Sequence, residues 1–136
     1  PFTDEQKAEL AAVEFFERLS NGMYQQAAEM YAADYAELLY LNPTLPENDR
    51  AALWRNACLI NGYQCLPIRQ VLEIEKFSLN EYHLTVQFQH PEGSAFILGP
   101  CCGADEQDMP PVSVFDVFVI ERDDKFFVVS LPVLVP

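Results

Sequence analysis

The chain has 136 residues, half of them hydrophobic, and a formal net charge of -13 with a pI near 4.3. That length and apolar content suit one folded unit with one core, here residues 1–136, and exclude a disordered chain. An acidic surface of this size repels phosphate backbones and anionic membranes, so nucleic acid is not an expected partner, and no apolar run approaches the ~20 residues of a membrane helix. The sequence begins at Pro1, so any signal peptide or lipid anchor is expected upstream of it.

Thr3-Asp4-Glu5-Gln6 is a capping-box pattern, and Ala8, Ala12, Phe15, Phe16 and Leu19 follow at helical spacing. Asn21-Gly22 is a stop signal, so the first helix is expected over 4–21. Met23 to Ala33 repeats the period, with Tyr24, Ala27, Ala28 and Tyr31 on one stripe. Tyr35 to Leu41 fits either an extension of this helix or a short strand, and Pro43 and Pro46 end it. Asn48-Asp49 caps a third helix in which Leu53, Ala57 and Ile60 share a face, with Trp54 and Cys58 beside it, closed by Asn61-Gly62.

After Cys65 the period changes to that of strands. Residues 66–77 and 82–89 read as a hairpin turning at Ser78-Leu79-Asn80. Pairing Ile74 with Leu84 and Leu72 with Val86 puts four apolar residues on one face, and sets Arg69, Glu73 and Glu75 against Gln89, Thr85 and His83 on the other. Pro91-Glu92-Gly93 is expected to bulge or kink the second strand, which Phe96-Ile97-Leu98 resumes. An acidic loop from Ala104 to Pro111 precedes a last hairpin, 112–121 and 125–131, turning at Asp123-Asp124 with Glu121 facing Phe126 and Val119 facing Val128. Val114, Asp116, Phe118, Ile120, Phe127, Val129 and Leu131 form one face of it, and Phe115, Val117, Val119, Phe126 and Val128 the other. Both are largely apolar, which places the hairpin centrally in a sheet covered on both sides or makes part of it a subunit interface.

All four cysteines fall in two short segments, Cys58 with Cys65 and Cys101 with Cys102. Three pairings are open. A bond between neighbours strains the intervening peptide. That leaves crossed pairs between the segments, or a Cys58–Cys65 bond with two free thiols. The hairpin register favours Cys65–Cys101 with Cys58–Cys102, a clasp between the third helix and the sheet, with the swapped pairing close behind. Disulfides point to an oxidising, extracellular or periplasmic compartment. The spacing suits neither a zinc knuckle nor a Cys-x-x-Cys redox site, so no metal and no cofactor is expected.

Two polar features carry possible chemistry. His83 and Glu75 face each other across the first hairpin, as a general-base dyad or as the solvated side of the sheet. Asp116 lies in an apolar strand, where burial would raise its pKa and suit it to acid–base work. The acidic run Asp105-Glu106-Gln107-Asp108 lacks the ligand spacing of a dedicated calcium loop.

The element order, and above all the stretch from Glu14-Phe15-Phe16 through Asn21-Gly22 to Ala27-Ala28-Glu29-Met30-Tyr31, resembles the nuclear-transport-factor-2-like (NTF2-like, or cystatin-like α+β) superfamily. Asn61-Gly62-x-x-Cys65-Leu66-Pro67 and Gly99-Pro100-Cys101-Cys102-Gly103 are similar to segments of secreted bacterial proteins of this general kind. The resemblance implies a cone in which a curved antiparallel sheet wraps the first helix, and a homodimer formed through the sheet. The superfamily contains enzymes and binding domains alike, so fold does not choose between them. The leading expectation is a non-enzymatic binding or interaction module that holds a small apolar ligand in the cone. The alternative is a small hydrolase or isomerase using Asp116 as acid or base, with Tyr35 or Tyr40 as hydrogen-bond donor.

Overall fold

The computed structural model describes residues 1–136. Four helices, α1 (Asp4–Ser20), α2 (Tyr24–Ala28), α3 (Ala36–Leu41) and α4 (Arg50–Leu59), precede six strands, β1 (Tyr63–Gln64), β2 (Ile68–Ser78), β3 (Glu81–Phe88), β4 (Phe115–Arg122), β5 (Lys125–Val128) and β6 (Val133–Leu134). The architecture is α+β: an antiparallel sheet in the order β2-β3-β4-β5 with the helices on one face, and a small β1-β6 pair beside it.

The capping box starts α1 as its sequence requires. The Gln6 amide donates to Thr3 Oγ1 at 3.1 Å and the Thr3 amide donates to Gln6 Oε1 at 2.9 Å, satisfying two otherwise orphaned donors. Its stripe of Ala8, Ala12, Phe15, Phe16 and Leu19 is buried against the sheet. At Gly22 the backbone takes φ +74°, which ends the helix as expected.

The second helix is shorter than its periodicity predicts. It stops at Ala28 because the next residues serve the sheet: Val128 donates its amide to the Met30 carbonyl at 2.9 Å, and the Ala32 amide donates to the Val128 carbonyl at 3.0 Å. Tyr31 thereby pairs in parallel with Val128 and covers the edge that β5 would otherwise expose. The ambiguous stretch after it is helical, as α3.

At the end of α3, Asn42 is buried and fully engaged. Its Nδ2 donates to the Leu38 carbonyl and to Asn61 Oδ1, both at 2.8 Å, and its Oδ1 accepts from Asn56 Nδ2 at 3.1 Å. This amide network joins α3 to α4 and to the turn after it. In α4, Trp54 is fully buried and donates Nε1–H to the Tyr35 hydroxyl at 2.8 Å, whereas Ile60, expected on the core face, is 71% exposed. The helix has already ended at Leu59, and Ile60 no longer follows its period.

The disulfide joins Cys58 to Cys65, with Cα atoms 5.4 Å apart, and Cys101 and Cys102 are free and exposed. This corrects the favoured Cys65–Cys101 and Cys58–Cys102 pairs. The reason lies at Pro91–Gly93. The second strand does not run on through a bulge; the chain reverses there, with the His90 amide donating to the Ser94 carbonyl at 2.8 Å and the Phe96 amide to the Phe88 carbonyl at 2.8 Å. The extrapolated register that carried Cys101 towards Cys65 therefore ends at Phe88.

The β2–β3 register is as expected at Ile74↔Leu84, Glu73↔Thr85 and Glu75↔His83, but Val71, not Leu72, stands opposite Val86. Three register shifts leave Arg69, Leu72 and Phe77 as extra residues on β2. The first two bulges change the strand's period from two to three, so Ile68, Val71 and Ile74 face the core and Leu72 is 42% exposed. In the last hairpin Val119↔Val128 and Glu121↔Phe126 pair as expected, across a turn in which Asp123 and Asp124 take φ +53° and +62°. One contiguous core of 23 buried residues unites the helices with the inner sheet face.

Candidate functional site

The titratable side chains that come together on the sheet lie on its outer face. Alternation along β3 turns Tyr82, Leu84, Val86 and Phe88 inward to the helices and His83, Thr85 and Gln87 outward. On β4, Val117 and Val119 turn inward, and Asp116, Phe118 and Ile120 outward. The pairs His83↔Phe118 and Thr85↔Asp116 set His83 diagonal to Asp116, a separation that long side chains span. The His83 Nε2 to Asp116 Oδ1 distance is 2.6 Å. An ionised carboxylate only accepts, so Nε2 carries the proton, which leaves Nδ1 of a neutral ring as a free acceptor. The imidazole lies flat on the Phe118 ring (centroids 5.0 Å apart, planes at 18°), and Phe77, the last bulge residue of β2, meets Phe118 edge-on at 6.0 Å.

This arrangement revises both carboxylate expectations. Glu75 stands across from His83 in the register, but the hydrogen bond goes to Asp116. The Asp116 side chain is 66% exposed, so it is not the buried carboxylate that its apolar strand led one to expect. The residues joined to it as alternative donors are elsewhere. Tyr35 is buried among the helices, where its hydroxyl accepts from Trp54, and Tyr40 is 83% exposed on α3. Asp116, Tyr35 and Tyr40 do not converge.

The inner side of the sheet is filled. Phe15 meets Phe16, Tyr31 and Trp54, and Phe16 meets Phe88, at centroid distances of 5.0 to 5.9 Å. Four cavities open on the molecule, and none is lined by Phe15, Phe16, His83 or Asp116. Burial pushes the Tyr31 phenol far up, helped by the neighbouring Tyr35, Asp34 and Glu37. The Tyr63 phenol is pushed up first by burial and then by donating its hydrogen bond to Glu37. Burial also raises Tyr35, against the pull of Trp54 and of the Arg50 guanidinium 4.7 Å over its ring. In the acidic loop, Asp105 Oδ1 accepts from the Gln107 and Asp108 amides at 3.0 Å, so that carboxylate shapes its own turn.

The His83–Asp116 contact depends on the β3–β4 register, which the sequence reading left unassigned. The sequence pattern ends the first strand at Phe77. The three-residue spacing of Ile68, Val71 and Ile74 signals the first two bulges, and no local pattern marks the third at Phe77. Comparison with family models, with curated proteins and with solved structures finds no match.

Proposed function

We propose that this chain is a non-enzymatic interaction module of cystatin-like architecture whose working surface is the outer face of its sheet, and that its occupant is a second copy of the chain. The observation that carries this reading is the apolar half of that face: Phe77 and Phe118 in contact, 47% and 40% exposed, with Ile120 and its partner Phe127 on the same side and the helices packed against the opposite one. Apolar clusters of this kind, rimmed by polar groups, mark association surfaces. A two-fold pairing of like faces would bury the aromatic half and leave Glu73 and Glu75 towards the rim. The Cys58–Cys65 bond supports placing the module in an oxidising compartment outside the cytoplasm. A small apolar ligand between α1 and the sheet would require Phe15 and Phe16 to move, since they occupy that space.

Sedimentation equilibrium tests the proposal. The wild type is expected to dimerise, more tightly as salt screens a net charge of -13 on each copy. Phe118→Asp is expected to be monomeric with an unchanged far-ultraviolet spectrum. A wild type that stays monomeric at all concentrations and salt levels defeats the reading.

The His83–Asp116 hydrogen bond favours a second reading, an acid–base enzyme in which Asp116 orients the imidazole and Nδ1 takes the proton. It is the weaker one, because the pair stands on an open sheet face where water competes. A rate of activated-ester hydrolysis that is lost in His83→Gln would promote it.

A further inference from the structure

The segment between the inner reversal and β4 carries two thiols that the fold leaves unused. Cys58 and Cys65 are bonded to each other, so neither is a disulfide partner for Cys101 or Cys102. The two free thiols are consecutive, exposed, and line a cleft of about 630 Å³ with Gln64, Phe96, Leu98, Val135 and others. The backbone is bent to present them. The Ala104 amide donates to the Cys101 carbonyl at 3.0 Å, and Cys102 and Gly103 between them take φ +63° and +86°. Left-handed backbone is natural for glycine and uncommon for cysteine, so this turn holds Cys102 in a conformation its side chain disfavours. Asp105, Glu106 and Asp108 follow at once and make the approach attractive to cations.

We propose that Cys101 and Cys102 form a two-thiolate binding site for a soft monovalent metal ion of the copper(I) class, with the apolar wall of the cleft shielding one side of the ion. The donor count selects this class. Zinc asks for four ligands, and no group of three or more His, Cys, Asp or Glu side chains is assembled in the protein. A soft d¹⁰ ion is satisfied by two thiolates, and thiolate is the ligand that selects it. Binding is a proton exchange with no change of oxidation state: each thiol gives up its proton, two S–Cu bonds form, and two protons leave.

The test uses the full chain with the Cys58–Cys65 bond intact, titrated without oxygen with tetrakis(acetonitrile)copper(I) against a coloured copper(I) chelator. One ion per chain is expected, with an affinity that increases with pH. Cys101→Ser and Cys102→Ser should each weaken it by at least an order of magnitude, and the double variant should not compete, with circular dichroism unchanged throughout. Zinc(II) in the same assay should be taken up no better by the wild type than by the double variant. The proposal is overturned if the double variant holds copper(I) as the wild type does. It is equally overturned if the wild type cannot compete, or if the protein carries Cys101 and Cys102 joined to each other and inert to the ion.

Discussion

The two faces of the sheet are built from the same strands and differ in almost everything else. On β3, Tyr82, Leu84 and Val86 are sealed against the helices, while His83, Thr85 and Gln87, one residue away in each case, are only half-buried. On β4, Val117 and Val119 are sealed, and Asp116 and Phe118 are open. The inner face spends its side chains on packing and has no room for a guest. The outer face keeps a histidine, a carboxylate and two phenylalanines that packing does not require. The difference is one of packing: the filled interior fixes stability, and the side chains that packing leaves free stand on the outer face.

The sharpest way to break the comparison is to truncate neighbours that face opposite ways. Leu84→Ala removes a fully buried side chain and is expected to cost about 2–5 kcal/mol in urea unfolding, through lost burial and the cavity left behind. Thr85→Ala, next to it, is expected within about 0.5 kcal/mol of the wild type. Equal effects at the two positions would mean that the faces are not as different as their burial says.

The inner side also has a covalent tie that the outer side lacks. The Cys58–Cys65 bond fastens the end of α4 beside the β1–β6 pair. Replacing both cysteines with serine should lower stability by about 2.5 kcal/mol in the chain-entropy model for so short a loop. The loss should leave association through the outer face intact in protein that remains folded, as read by sedimentation. Parallel loss of dimer and of stability would instead tie the two faces together.

Much of this contrast was legible in the sequence. Helix starts and stops were readable because their chemistry is local: Thr3 with Gln6, Asn21-Gly22, and Asp49, which accepts the Ala52 amide at 3.2 Å. The last hairpin was readable because Asp123-Asp124 fixes its register. Features that depend on distant segments were not readable. Tyr31 leaves its helical period to pair with Val128, nearly a hundred residues on, and no local signal announces it. The bulges at Arg69, Leu72 and Phe77 displaced the expected partner of Val86, and the reversal at Pro91–Gly93 undid the cysteine pairing. The candidate site is the least legible part, because His83 and Asp116 lie in segments whose local patterns point to opposite faces. The pattern around His83 is that of a solvated face and the pattern around Asp116 that of a buried one, and only the β3–β4 register shows that the face is shared.

Alkaline pH sharpens the comparison without a mutation. Tyr31 and Tyr63 sit on the helical side with phenols pushed up from the ordinary 10.0, while the outer face carries no tyrosine on β3 or β4. In the unfolded chain these phenols lose their protons near pH 10, whereas in the folded protein they keep them. Between the two values the folded state binds more protons, so the contribution of these phenols to stability is constant below about pH 10 and falls as pH rises above it. Urea midpoints from pH 8 to 11 check this, and Tyr63→Phe should flatten part of the decline. A decline of the same slope in that variant would place the responsible groups elsewhere.

The smallest expected effect bears most directly on the outer face. The His83–Asp116 pair is half open to water, and exposed pairs contribute about 0–1 kcal/mol, so Asp116→Asn should leave unfolding almost unchanged. The amide can still accept from Nε2–H, so the ring need not turn, but it no longer carries the charge that fixes which nitrogen holds the proton. If the face only faces solvent, nothing further should change. If a second copy docks there, Nδ1 loses its fixed role as an acceptor, and the dimer should weaken in sedimentation while the monomer's unfolding midpoint stays put. A change in association with no change in stability is therefore the signature of a residue kept for contact and not for folding. Its absence, together with an intact Phe118-dependent dimer, would confine the interface to the aromatic half of the face and leave the histidine–carboxylate pair outside it.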